Sequence, residues 1–413
     1  MAASGKRQSI WFVLVTIFID AMGYGLAGPV LPRLIMNVGD VDISAAIRFA
    51  GWMTASYAVV QFLMGPVIGN LSDRFGRRPV LLIALTGLVL NFLLLSVAQS
   101  LPVLFVAQML GGMFGGTIGT CQAAIADMTA KEDRAHNFSL VGAAFGLGFV
   151  VGPAIGGLLG EYGERMPFIA AAVLTFVNLL YGVFVFPDTL RPENRRPFEW
   201  RRANALGAWR SMRAMPGMTA AILIVALWYI AGAVYPLTWP YYGIARFDWS
   251  NGMIGASLAT VGAITALSQT VLTGRLVRRY GERGAAIIGM TGGIATFLAY
   301  AFVTQGWMAF AIMIGFVPQS MVGPALMAIL ANRAGADAQG EVQGMAAMAQ
   351  GMGGIVAPLL INPTMAYFTS PAAPFQFAGA GFIVASLFAV AALGRLLTLP
   401  NPRRARALDA RTG

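Results

Sequence analysis

The chain has 413 residues, of which 57% are hydrophobic and 11% charged, with a formal net charge of +11. A soluble globular domain carries about 25% charged residues, so a chain this apolar must turn much of its surface to lipid. Its Lys and Arg residues lie in gaps between apolar runs and make no continuous basic face, which argues against nucleic acid as a partner. One cysteine (Cys121) and one histidine (His136) exclude an internal disulfide and leave no basis for a metal cluster, so neither metal nor cofactor is expected.

A bilayer core of about 30 Å takes roughly 20 apolar residues per helix. On that measure, helices are expected near 10–36, 47–70, 79–99, 102–126, 138–160 and 166–187. Six more are expected near 218–242, 251–274, 285–305, 307–332, 341–366 and 375–399. The chain reads as an all-α integral membrane protein with twelve transmembrane helices. A six-helix bundle spans 1–187, a cytoplasmic linker 188–217, and a second six-helix bundle with a basic tail 218–413. The first apolar run is longer than the ~7–15 residue core of a cleaved signal, so it is expected to remain as a helix. With the N-terminus inside, every Lys and Arg except Arg33, Arg48, Arg165 and Arg246 falls on one side. The positive-inside rule then puts both termini in the cytoplasm.

Asp20 lies about ten residues into the first helix, or ~15 Å at 1.5 Å per residue, close to the midplane. Every other acid falls in a loop or at a helix end on this map. A carboxylate at that depth costs roughly 2.5–3.5 kcal/mol to insert, and such residues usually face a cavity and serve a function. Removed from water, a carboxylate binds a proton more readily. Asp20 is therefore the candidate for binding proton or substrate, against the plainer reading of a structural carboxylate bonded to neighbouring helices. The adjacent Gly23-Tyr-Gly-Leu-Ala-Gly28 spells a dinucleotide fingerprint, but no strand precedes it, so that reading fails. With Pro29 and Pro32, these glycines are expected to make the first helix bendable.

Between the second and third helices stands Gly69-Asn-Leu-Ser-Asp-Arg-Phe-Gly-Arg-Arg78, a charged, glycine-bracketed turn followed by Pro79. In the fifth helix, Gly148, Gly152 and Gly156 recur every four residues and share one face, which permits close helix packing. Pro153 removes a backbone hydrogen bond and bends the helix. The linker 188–217 sets Trp200 and Trp209 among arginines. It reads equally as an amphipathic helix on the inner leaflet or as a solvated connector.

The halves are related by a constant shift of 205 positions. It carries Gly69 to Gly274, Leu71 to Leu276, Arg74 to Arg279, Gly76 to Gly281 and Arg78 to Arg283, then Gly148 to Gly353 and Pro153 to Pro358. Parallel repeats of this kind place a substrate site at their interface near the midplane. Polar groups inside the helices that are candidates for its lining are Tyr57, Gln61, Asn91, Gln108, Gln122, Tyr229, Tyr235, Gln269, Gln319 and Gln350. Each reads equally as a bond between helices, since unsatisfied polar groups are costly in lipid. The methionines from Met290 to Met352 suit an adaptable pocket or simple packing.

The spacing of Gly69, Leu71, Asp73, Arg74, Gly76, Arg77 and Arg78 resembles the helix 2–3 loop of major facilitator superfamily transporters. Asp20-Ala-Met-Gly and Ser72–Leu82 are most similar to the tetracycline-exporter branch. The resemblance implies a gate role for the loop, with Asp73 contacting charges and a helix end in the other half. It implies charge contacts on the inner side for Asp127 and Arg134, and an antiporter motif in Gly148, Gly152, Pro153, Gly156 and Gly157, with Ser139 where a further glycine is usual. It also implies a monomer in the bacterial inner membrane that exchanges a small amphipathic, tetracycline-like molecule for protons. A facilitator without coupling is the alternative, and a receptor or enzyme on the same frame a remote one, since no catalytic constellation is visible. Where such exporters carry intramembrane charges in helices 3, 4 and 9, this chain has Asn91, Gln108 and Gly293, and Thr265 replaces a histidine of helix 8.

Overall fold

The computed structural model describes residues 2–130, 133–199, 218–334 and 339–399. The tail beyond 399 and most of the linker, with Trp200 and Trp209, lie outside the described residues, as do the side chains of Lys6, Arg7 and Arg134.

The first half comprises α1 (Ala2–Ala27), α2 (Leu31–Gly39), α3 (Ile43–Phe75), α4 (Arg77–Val97), α5 (Leu101–Phe114), α6 (Thr117–Met128), α7 (Arg134–Glu161) and α8 (Met166–Val185). The second comprises α9 (Met218–Gly232), α10 (Val234–Phe247), α11 (Asn251–Leu267), α12 (Gly274–Phe302), α13 (Gly306–Ile312), α14 (Val322–Ala334), α15 (Gln339–Thr369) and α16 (Ala380–Thr398). Several expected helices are broken. The first stops at Ala27 and resumes at Leu31, with Pro32 in the opening turn of α2, where its missing N–H costs nothing.

Among the described residues, eleven segments are long and apolar enough to cross a membrane. One of them, Asn251–Phe302, has 52 residues, or ~78 Å of helix against a core of ~30 Å. It is interrupted at Gly281, whose φ of 70° and ψ of 169° are not helical. Divided there, each part is long enough for a crossing of its own. Large side chains such as Trp52, Ile83, Leu158, Phe184, Trp307 and Leu387 remain exposed, as lipid contact demands.

Glycine 76 marks the equivalent break in the first half, with φ 102°. No other residue type takes such a φ without strain. Two arginines 205 positions apart then fasten the following helices in the same manner. Arg78 Nη2 donates to Val183 O near the end of α8 (2.6 Å), and Arg283 donates to Leu397 O and Leu399 O at the end of α16 (both 2.8 Å). A guanidinium suits these positions because the last carbonyls of a helix have no intrahelical partner.

The expected turn over Gly69–Arg78 is shorter in the structure. Helix α3 continues to Phe75, Ser72 Oγ bonds back to Gly69 O (2.9 Å), and only Gly76 leaves helical geometry. Gly69 has open space where a side chain would stand, so no close approach explains it.

The halves meet along two seams, α7 on α11 and α3 on α15. Both seams are tight at the end away from Arg74–Arg78. There Gly157 faces the Asn251 carbonyl and Gly255, and Gly51 faces Asn362 and the Pro358 carbonyl. Toward the basic end the same helices part: Gly65 and Gly69 of α3, Gly142 and Gly146 of α7, and Gly344 of α15 meet nothing. Among the described residues, the bundle is closed at one end and open at the basic one.

Candidate functional site

Between the halves lies a cavity of about 370 Å³. The first half contributes Asp20, Tyr24, Tyr57, Asn91, Phe92, Gln108, Thr117, Phe149 and Phe168; the second contributes Tyr235, Leu237, Pro240, Leu258 and Gly354. Most of this surface is apolar and aromatic, and Asp20 is the one charged side chain among the described lining residues.

Helix α1 carries Asp20 into this space, 8% exposed. Thr117 donates its hydroxyl to Asp20 Oδ2 from the first turn of α6, just past the Gly115–Gly116 break. The other carboxylate oxygen, Oδ1, is buried without a partner among the described residues. Asn91 Oδ1 is in the same condition, with the residue 5% exposed. A buried acceptor without a donor costs about 1–3 kcal/mol. Two such oxygens in one cavity suit a ligand that brings donors. Beside them, the rings of Tyr24 and Tyr57 meet edge to face at 5.9 Å, and Gln61 Nε2 bonds the Tyr57 hydroxyl at 3.1 Å.

The expected lining residues divide accordingly. Tyr57, Asn91, Gln108 and Tyr235 line the cavity. Gln61 and Gln319 stand behind it, fixing the hydroxyls of Tyr57 and Tyr235 (both 3.1 Å). Gln350 donates to Tyr229 Oη (2.8 Å), and neither reaches the cavity. Gln122 and Gln269 are exposed and lie outside it. Sequence reasoning did not single out Thr117. A threonine in an apolar helix carries no mark of its partner 97 positions away.

At the basic end, Arg77 is buried and gathers three partners. Nη1 reaches Asp73 Oδ1 and Ser72 Oγ (both 2.6 Å), and Nε reaches Asp127 Oδ2 (2.9 Å). Its backbone N–H is capped by Asp188 Oδ1 (2.9 Å), a carboxylate well placed at a helix N-terminus. Asp188 also takes Arg195 (2.8 Å), and the linker lies along the α3 end through Arg196 N to Asp73 O (3.1 Å) and Asn70 Nδ2 to Glu199 O (2.7 Å). Asp73 thus bonds within its own half and the linker, whereas contact with the other half was expected. The helices of the two halves are parted at this end. Arg74 is exposed beside Phe75.

The glycines of α7 work on one flank. Gly148, Gly152 and Gly156 lie against the backbone of Phe18, Met22 and Leu26 in α1, and Gly25 meets Gly152 and Pro153 there. On the other flank, the Pro153 carbonyl and Gly157 press on Gly255 of α11. One helix therefore joins the element that carries Asp20 to the opposing half.

A family model described as Major Facilitator Superfamily matches residues 13–358. The chain belongs to the Major Facilitator Superfamily. It is 40% identical over 357 residues to the tetracycline resistance protein, class C, of Escherichia coli, covering 86% of this chain and 89% of that one. It is 35% identical to the class G protein of Vibrio anguillarum, covering 86% and 89%. The fold superposes on a mutant of the nucleoside transporter NupG with a TM-score of 0.79 at 13% identity, covering 95% of this chain and all of that one. As a superfamily member of the tetracycline-resistance type, the protein is a multi-pass membrane transporter with a small-molecule substrate. Asn91 and Gln108, where exporters of this branch are expected to be charged, both face the cavity.

Proposed function

We propose that this transporter exports amphipathic small molecules from the bacterial cytoplasm in exchange for protons, by alternating access of the cavity to the two membrane faces. The observation that carries the reading is Asp20, a buried carboxylate in the cavity between the halves, with one oxygen held by Thr117 and one unpartnered. Proton and substrate compete for that oxygen, so each expels the other. The basic end is the cytoplasmic face under the positive-inside rule, and the conformation is then inward-open. Asp73 and Arg77 form the inner gate and close on the other half when the cavity turns outward, and the glycines of α7 carry the movement. Tetracycline-type relatives support drug export, while a single cavity charge favours substrates with one positive charge or none.

The test uses everted membrane vesicles holding a proton gradient, challenged with tetracycline and magnesium and then with lipophilic cations. Collapse of the gradient in wild type but not in Asp20→Asn is expected. Full pH-dependent transport by Asp20→Asn would overturn the mechanism. The lone charge also favours one other reading, an uncoupled facilitator, and transport insensitive to gradient collapse would select it.

A further inference from the structure

The closed end is stitched differently along its two seams. Where α3 meets α15, the crossing bonds are neutral: Ser44 Oγ to Ala366 O (2.7 Å) and Asn362 Nδ2 to Ile47 O (3.1 Å). Where α7 meets α11, a charge takes part. Glu161, the last residue of α7, accepts a hydrogen bond from the backbone N–H of Gly252 in the first turn of α11 (2.5 Å). Asn251 Nδ2 returns a bond to Gly160 O (3.0 Å), and Arg33 reaches Trp249 O (3.2 Å) while acting on the same glutamate carboxylate.

The first N–H groups of a helix have no intrahelical partner, and the N-terminus carries partial positive charge. Ser250 caps Met253 N at the start of α11. Gly252 N is satisfied from the other half of the molecule. No turn of α11 supplies that acceptor, so the bond exists only while the halves touch.

We infer that Glu161 is a positioning residue of the transport cycle, the latch that holds the outer end shut by capping α11 across the seam. The inference rests on alternating access of the cavity. Opening that end strips Gly252 of its acceptor and Glu161 of both its donors, the Gly252 N–H and the Ser250 hydroxyl, which favours the closed state. The latch is the counterpart at one face of the role that Asp73 has at the other.

The test places spin labels at Tyr162→Cys and Met253→Cys, exposed positions on either side of the seam. The background is Cys121→Ser, in full-length protein in nanodiscs, and distances are read by electron–electron double resonance. Glu161→Ala is expected to raise the ratio of long to short distances roughly three- to tenfold, the net worth of one ordinary hydrogen bond. Glu161→Gln keeps an acceptor and falls between, and covers the case in which the alanine variant does not fold. Glu164→Ala, whose carboxylate bonds Asn37 within its own half, leaves the ratio unchanged. A wild type with two populations that neither Glu161 variant shifts would overturn the latch alone. A single distance in wild type and variants under every ligand and pH condition would overturn the latch and count against alternating access too.

Discussion

Thr117 and Asp20 lie 97 positions apart and meet through one hydrogen bond, which occupies a single carboxylate oxygen and leaves the second, among the described residues, unpartnered in the cavity. The pair divides the work: one oxygen is held and one is available. Asp20→Asn is expected to fold, bind and lose proton-driven export to background. Thr117→Val keeps the carboxylate but frees it to turn, and export is expected to fall roughly tenfold. Proton-driven uptake into everted vesicles checks both, with equal activity of Thr117→Val and wild type as the contrary outcome.

Asn91 presents a second unpartnered acceptor to the same space. Asn91→Asp adds a charge to a cavity that has one. It is expected to shift preference from singly to doubly charged cations by about tenfold or more, given the strength of charge interactions away from water. Competition between mono- and dicationic dyes of similar size measures the shift. No change in their ratio would remove Asn91 from the substrate surface.

Arg77 is buried among Asp73, Asp127 and Ser72. Arg77→Met leaves carboxylates without their cation, and a loss of about 3 kcal/mol is expected, as for a broken buried pair. Thermal unfolding in detergent checks it. Asp73→Asn, at a side chain that is itself 42% exposed, should cost far less.

Gly76 has φ 102°, and a Cβ there would collide with Asp188. Gly76→Ala is expected to cost at least about 1–2 kcal/mol from the backbone alone and to weaken the Asp188 cap. Gly152→Ala would set a methyl 2.6 Å from Met22 O, and a loss of about 1–3 kcal/mol is expected. Melting temperatures rank both against wild type, and Gly69→Ala, which meets open space, is the matching control.

Much of the architecture was legible because lipid imposes few options. Apolar run lengths located the crossings, and the constant shift of 205 paired Gly76 with Gly281, the two breaks the structure displays. Asp20 stood out because acids are scarce at that depth, and four of the ten polar lining candidates reach the cavity with it. What was not legible depends on rotation about helix axes. Gln122 and Gln269 look like Asn91 and Gln108 in sequence, and a turn of about 100° per residue decides which face each occupies. Asp188 and Glu161 escaped notice because each caps a backbone N–H group far along the chain, which no side-chain pattern reveals.

A cavity with one carboxylate also sets what can power the exchange. Trading one proton for one monovalent cation moves no net charge across the bilayer, so voltage does no work on the cycle. A difference of one pH unit then sustains at most a tenfold concentration ratio of such a cation. A neutral substrate exchanged for the same proton is electrogenic, and 100 mV adds about 2.3 kcal/mol to its export. An ionophore that abolishes the voltage and spares the pH difference would therefore lower export of a neutral substrate and leave that of a monovalent cation unchanged.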